Sequence, residues 1–95
     1  MQRKNLQILI NSITRNLRRR FIVFSNLTGI SKDTIKQFYH GKQKLNNEQI
    51  GKIHEAFPKY VYWLATGKTI PEAGQISPET EDVADSYVET GTDTQ

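Results

Sequence analysis

Phe21-Ile22-Val23-Phe24-Ser25-Asn26-Leu27-Thr28-Gly29-Ile30-Ser31-Lys32-Asp33-Thr34-Ile35-Lys36-Gln37-Phe38-Tyr39-His40 is the stretch on which the fold turns. By composition alone its first seven residues suit a buried strand as well as a helix. The flanks decide for helix. Gly29 stands where a helix ending at Thr28 places its left-handed C′ residue, Ser31 suits the N-cap of a following helix, and Asp33 falls in that helix's first turn. Thr28-Gly29-Ile30-Ser31 therefore joins two short helices. Ser25 is small where they cross closely, Gly29 permits positive φ in the link, and Ile30, Ile35 and Phe38 lock the second helix onto the first and the core. The second helix, about Lys32 to His40 and ended by Gly41, is left with Lys32, Asp33, Lys36, Gln37 and His40 facing outward.

Upstream, Leu6, Leu9, Ile10, Ile13 and Leu17 recur at helical spacing, so a first helix of roughly Arg3 to Arg15 buries one face. Downstream, Asn46 and Gln49 make a capping-box pair before Ile50, Ile53, Ala56 and Phe57, the apolar stripe of a fourth helix. Pro58 opens a fifth, to Thr66, which carries Val61, Trp63 and Leu64 and is closed by Gly67. The reading is all-α, five helices within residues 1–70. From Pro71 the composition shifts to Pro, Gly, Ser, Thr and acids, with few apolar residues besides Ile76, Val83, Tyr87 and Val88. Residues 71–95 are expected to form a mostly disordered tail, with a fleeting turn of helix near Glu79 to Val88.

Ninety-five residues make one small domain, short for the scaffolds that carry most enzymes, and small domains often gain stability by dimerising. The chain has no cysteine, which excludes a disulfide framework, a thiolate metal site and a Cys nucleophile. No stretch approaches a membrane span, and Met1-Gln2-Arg3-Lys4-Asn5-Leu6 lacks the apolar block of a signal peptide, so a cytoplasmic, nucleoid-associated location is expected. The net charge of +3 is split: residues 1–70 hold all 13 Lys and Arg against Asp33, Glu48 and Glu55, a balance of +10, and residues 71–95 hold seven acids and no base, −7. A basic head of this density points to a polyanion, nucleic acid before membrane. His40 and His54 lie fourteen residues apart without a spaced third ligand, and Glu48 and Glu55 have no accompanying nucleophile, so neither pair reads as a metal or catalytic site. No enzyme activity, metal or cofactor is expected.

The Phe21 to His40 spacing, with Thr28-Gly29-Ile30-Ser31, then Thr34-Ile35, then Gly41-Lys42, resembles the phage repressor and Cro-like (Xre-type) helix-turn-helix domains over about Arg15 to Ile70. Tyr62-Trp63-Leu64-Ala65-Thr66-Gly67-Lys68 leading into Pro71-Glu72 is similar to the aromatic-Leu-Gly close of many phage and prophage regulators. The resemblance implies a compact, lambda-repressor-like domain that binds double-stranded DNA, most simply as a homodimeric transcriptional repressor occluding a promoter at a near-palindromic operator. One departure stands out: that family usually has a polar residue, often Gln, against phosphate where Phe21 stands here, and Ile22, Val23 and Leu27 are apolar at positions usually turned to solvent. The arginines just upstream are expected to replace the contact, and a partner protomer, the first helix or the tail to cover the apolar surface.

Docked in a major groove, such a helix offers Lys32, Asp33, Lys36, Gln37 and His40 as base readers. By the hydrogen-bond code Gln37 suits adenine, Lys32 guanine and Asp33 the cytosine amino group, at roughly 1–3 kcal/mol of discrimination each. Arg18, Arg19, Arg20, Lys42 and Lys44, with Ser31 and Thr34 at a helix start, are the expected phosphate contacts. Tyr60, Tyr62 and Trp63 are expected to divide between core and a dimer patch. Release from DNA would come from a protein antagonist or from competition, for which an acidic tail mimicking DNA is one route; a plain solubiliser and a partner-binding arm are the others. Two rival functions remain: a DNA-bending, excisionase-like recombination factor, and a protein-binding antirepressor or antitoxin-like adaptor docking through Phe21-Ile22-Val23.

Overall fold

A computed structural model of the protein describes residues 1–80. Five α-helices, α1 (Arg3–Ser12), α2 (Arg20–Thr28), α3 (Lys32–Tyr39), α4 (Asn47–Ala56) and α5 (Val61–Thr66), are interspersed with single 3₁₀ turns. An isolated antiparallel bridge between Ile70 and Gln75 is the only β pairing among the described residues. The all-α class read from periodicity and caps is the one observed.

The caps explain where the helices stop. Gly29 takes φ +80° and donates its N–H to the Ser25 carbonyl at 2.8 Å, ending α2 in the left-handed conformation that glycine adopts at little cost. The link is braced from both sides: Ser25 Oγ donates to the Ile30 carbonyl at 2.6 Å, and the Thr28 hydroxyl accepts from the Ile30 N–H at 3.2 Å. Ser25 thus does more than leave room for a crossing helix. Ser31 caps α3 by accepting from the Thr34 N–H at 3.2 Å. Both halves of the Asn46/Gln49 capping box are made, at 2.8 and 3.0 Å.

Two boundaries differ from the periodicity. The first helix stops at Ser12, whose hydroxyl bonds back to the Ile8 carbonyl, and the chain re-forms as a 3₁₀ turn at Leu17–Arg19 capped by the Asn16 side chain. Leu17 therefore leaves the phase of the buried stripe and is 52% exposed. The fifth helix begins as a separate 3₁₀ turn, Pro58–Tyr60, before α5.

The core gathers Leu6, Leu9, Ile10 and Ile13 of the first helix and its end, Val23 and Phe24 of α2, Ile30, Ile35 and Phe38 around α3, and Ile53, Phe57, Tyr60, Trp63 and Leu64 from the C-terminal half. The Phe24 and Phe57 rings stack at 5.4 Å, joining α2 to the end of α4. Asn5, buried, donates to the Trp63 carbonyl at 3.1 Å, so the start of α1 closes the open C-terminal end of α5.

The segment from 71 to 80 packs on this unit. Gln75 donates from Nε2 to the Pro58 carbonyl and accepts at Oε1 from the Tyr62 N–H, each at 3.0 Å, supplying α5 with the N-terminal cap that its own sequence lacks. The Ile76 N–H bonds the Lys59 carbonyl at 2.9 Å, and Ser77 and Pro78 are buried. This part of the expected tail is held in place, by hydrogen bonds to residues about fifteen positions earlier and by Ile76 packing against the core. The expected turn of helix from Glu79 to Val88 lies, beyond residue 80, outside the described residues.

Candidate functional site

α3 has two chemically distinct sides. Ile35 and Phe38 are buried, at 2% and 9% exposed, and Lys32, Asp33, Lys36, Gln37 and His40 are all exposed. Those five recur at one- and four-residue steps, which on a helix is one continuous face. α2 packs behind this helix, so the exposed face is carried on a braced support.

The C-terminal end of α3 is the most heavily tied part of the surface. Tyr39 packs edge-on against Phe21 at 5.1 Å, and His40 meets the same two rings at 5.3 and 6.2 Å. Arg20 lays its guanidinium over Phe21 at 4.7 Å and over Tyr39 at 5.3 Å, and its Nη1 donates to the Leu17 carbonyl at 2.8 Å. From the other side α1 holds the same residue. Gln7 Nε2 donates to the Tyr39 carbonyl at 2.6 Å, and Asn11 Nδ2 donates to the Tyr39 hydroxyl at 2.9 Å.

These contacts dispose of the departure at Phe21. Its ring is covered within the protomer by Tyr39, His40 and Arg20, and Val23 belongs to the core at 3% exposed, so neither needs a partner to shield it. Ile22 and Leu27 are half-buried against the same core.

The expected phosphate contacts divide. Arg18, Lys42 and Lys44 are exposed, and Arg19 and Arg20 are half-buried. Arg20 is committed to the aromatic cluster and the Leu17 carbonyl, which turns it into a brace between α2 and α3. Ser31 and Thr34 bond each other, Oγ to Oγ1 at 2.9 Å, while Ser31 also serves as the cap. The candidate dimer residues fare differently from one another: Tyr60 is fully buried and Trp63 is 4% exposed, so both belong to the monomer's own core and have no surface to give a partner. Tyr62 is half-buried.

Sequence reasoning missed the polar stripe of α1. Arg3, Gln7 and Asn11 stand four residues apart, the spacing of one helix face, and all three reach the end of α3: Asn11 and Gln7 through Tyr39, and Arg3 by lying across Gly41. That spacing was available as a signal beside the apolar stripe at Leu6, Leu9, Ile10 and Ile13.

No helix among the described residues is long and apolar enough to cross a membrane, and among the same residues no three His, Asp or Glu side chains converge as a metal site. Comparison of the chain with family models, with curated proteins and with solved structures returned no match.

Proposed function

We propose that this protein is a sequence-specific duplex-DNA-binding regulator in which α2, the Gly29 link and α3 act as a helix-turn-helix. The observation that carries the reading is the two-sidedness of α3: apolar side chains fix one face, and Lys32, Asp33, Lys36 and Gln37 stand exposed together on the other. A major groove admits one such helix and presents a distinct donor and acceptor pattern at each base pair, which lysine, aspartate and glutamine can read. The bracing of Tyr39 from α1 and α2 supports the same reading, because discrimination at about 1–3 kcal/mol per base contact needs the helix held in one orientation. The excess of base over acid in residues 1–70 supplies the attraction to phosphate.

On this reading two protomers bind a near-palindromic operator with half-sites about 34 Å apart, one helical turn, and repress by covering promoter elements. Arg18, Lys42 and Lys44 are the phosphate contacts, Arg20 the brace behind them. The protomers meet through surface other than Tyr60 and Trp63.

Selection of bound duplexes from a random pool at near-physiological salt tests this. The expected product is a two-part logo with half-sites spaced by one turn. Recovery of unenriched sequence from a folded protein would remove the specific reading.

A further inference from the structure

Beside the α3 face lies a second basic feature, built from the start of α1 and the loop that follows α3. An open cleft of about 420 Å³ is lined by Met1, Arg3, Phe38, Gly41, Lys42, Gln43 and Lys44, with no acid among its described lining residues. It adjoins a smaller, largely apolar hollow of about 220 Å³ that shares Met1, Phe38 and Lys44 and is bounded by Leu45 and Ile50.

We propose that Arg3, Lys42 and Lys44 form a phosphate-binding cleft for a backbone phosphate of duplex DNA, flanking the bases read by α3. The inference rests on the DNA-binding reading above and adds α1 to the contact surface.

Three features carry it. Gly41 sits at φ +76°, and a Cβ there would collide with the Arg3 guanidinium, so the glycine both turns the chain and leaves the space in which Arg3 lies. The stripe below Arg3 is anchored to the end of α3, Gln7 at the Tyr39 carbonyl and Asn11 at the Tyr39 hydroxyl, so α1 is held in register with α3. The loop is tied to the reading face itself, since the Lys42 N–H bonds the Gln37 carbonyl at 2.8 Å. A phosphate in the cleft is therefore held at a fixed offset from Gln37, which makes the site a determinant of docking register as well as of affinity. Arg3 offers a planar fork that matches two phosphate oxygens; the two lysines add point charges. The cleft is open along the surface, as a continuous backbone requires.

The test is duplex affinity of the full chain and its Arg3→Gln variant across about 50 to 200 mM salt, on the operator recovered by selection, with ethylation interference on the same duplex. Arg3→Gln is expected to lower the log–log salt slope by about two, one for each protomer of the bound dimer, to lose one interfering phosphate in each half-site, and to leave the selected logo unchanged. Arg3→Lys restores the slope but not the full affinity. Thermal melting of both variants matches the parent, because Arg3 is exposed. An unchanged slope and interference pattern in Arg3→Gln, with the parent still binding DNA, overturns the cleft alone; a parent that binds no duplex overturns the DNA reading and the cleft with it. A rise in affinity on Arg3→Gln also overturns the proposal, since the cleft would then be serving the chain's own acids. Orthophosphate titrated alone at low salt should give no saturable shift of the Gly41 and Lys42 amides. Saturation there would assign the cleft to a free anion instead.

Discussion

Residues 20–39 and 58–80 are segments of similar length held by different kinds of contact. In the first, α2 and α3 meet through apolar side chains, a link braced by Ser25 and Thr28 one turn away, and an aromatic cluster at the far end. In the second, Tyr60, Trp63 and Leu64 sit in the same core, and the return at 71–80 is added to it through Gln75, which joins the Pro58 carbonyl and the Tyr62 N–H, through a backbone bond from Ile76 to Lys59, and through a little burial at Ile76, Ser77 and Pro78. Burial and local bracing hold a helix pair rigidly enough to aim a face. The return at 71–80, tied by hydrogen bonds and a few packed residues, closes the core behind it.

Phe57, between the two segments, stacks on Phe24 of the first at 5.4 Å and meets Tyr60 of the second at 6.3 Å, and Phe24→Ala gives the largest expected effect. All three rings are fully buried, so the truncation should cost about 3–5 kcal/mol, a large part of a small domain's stability. In chemical denaturation both segments should be lost in one transition. Survival of protected amides in 20–39 after 58–80 has unfolded would mean they are separate units.

Gln75→Ala sharpens the comparison from the other side. It removes the partner of the part-buried Tyr62 N–H and of the exposed Pro58 carbonyl, which water can then reach, at about 0.5–1.5 kcal/mol. Hydrogen exchange should quicken across 58–66 and 71–80 and stay slow in 20–39. Equal acceleration in both would show that the return braces α3 too.

Gly29→Ala probes the link. No atom lies within 4 Å of the added Cβ, so the effect is backbone strain at φ +80° alone, about 1–2 kcal/mol. Thermal melting should record that loss without a change in helix content. A neutral outcome would mean that the link relaxes out of the left-handed region and that Ser25 and Thr28 suffice to shape it.

What was legible in the sequence follows the same division. Gly29, Ser31, Asn46 and Gln49 act within four residues of themselves, so the caps and the α2–α3 link could be read directly. The end of α1 could not, because periodicity carried the stripe through Leu17 while the chain leaves the helix at Ser12. Gln75 reads as one polar residue in a polar stretch until Pro58 and Tyr62 are placed beside it. At the candidate site the outward face of α3 was legible from helical phase alone. The fate of Arg20 was not: three adjacent arginines look alike in sequence, and only the Phe21 and Tyr39 rings single one out as a brace. How Tyr60, Tyr62 and Trp63 divide between core and surface was not legible either, because an aromatic's share of the core depends on what arrives from elsewhere in the chain.

The exposed face of α3 is proposed to read bases. The most direct measurement of this is the affinity of the parent chain and of a Lys32→Ala, Gln37→Ala variant for the selected duplex and for a scrambled duplex of the same composition, at one fixed salt. Both positions are exposed, so the variant should melt within about 0.5 kcal/mol of the parent. The variant should lose most of the parent's preference for the selected duplex, at about 1–3 kcal/mol for each reader removed, with a smaller drop on the scrambled duplex from the lost lysine charge. A variant that still prefers the selected duplex by the parent's ratio would contradict base reading by α3.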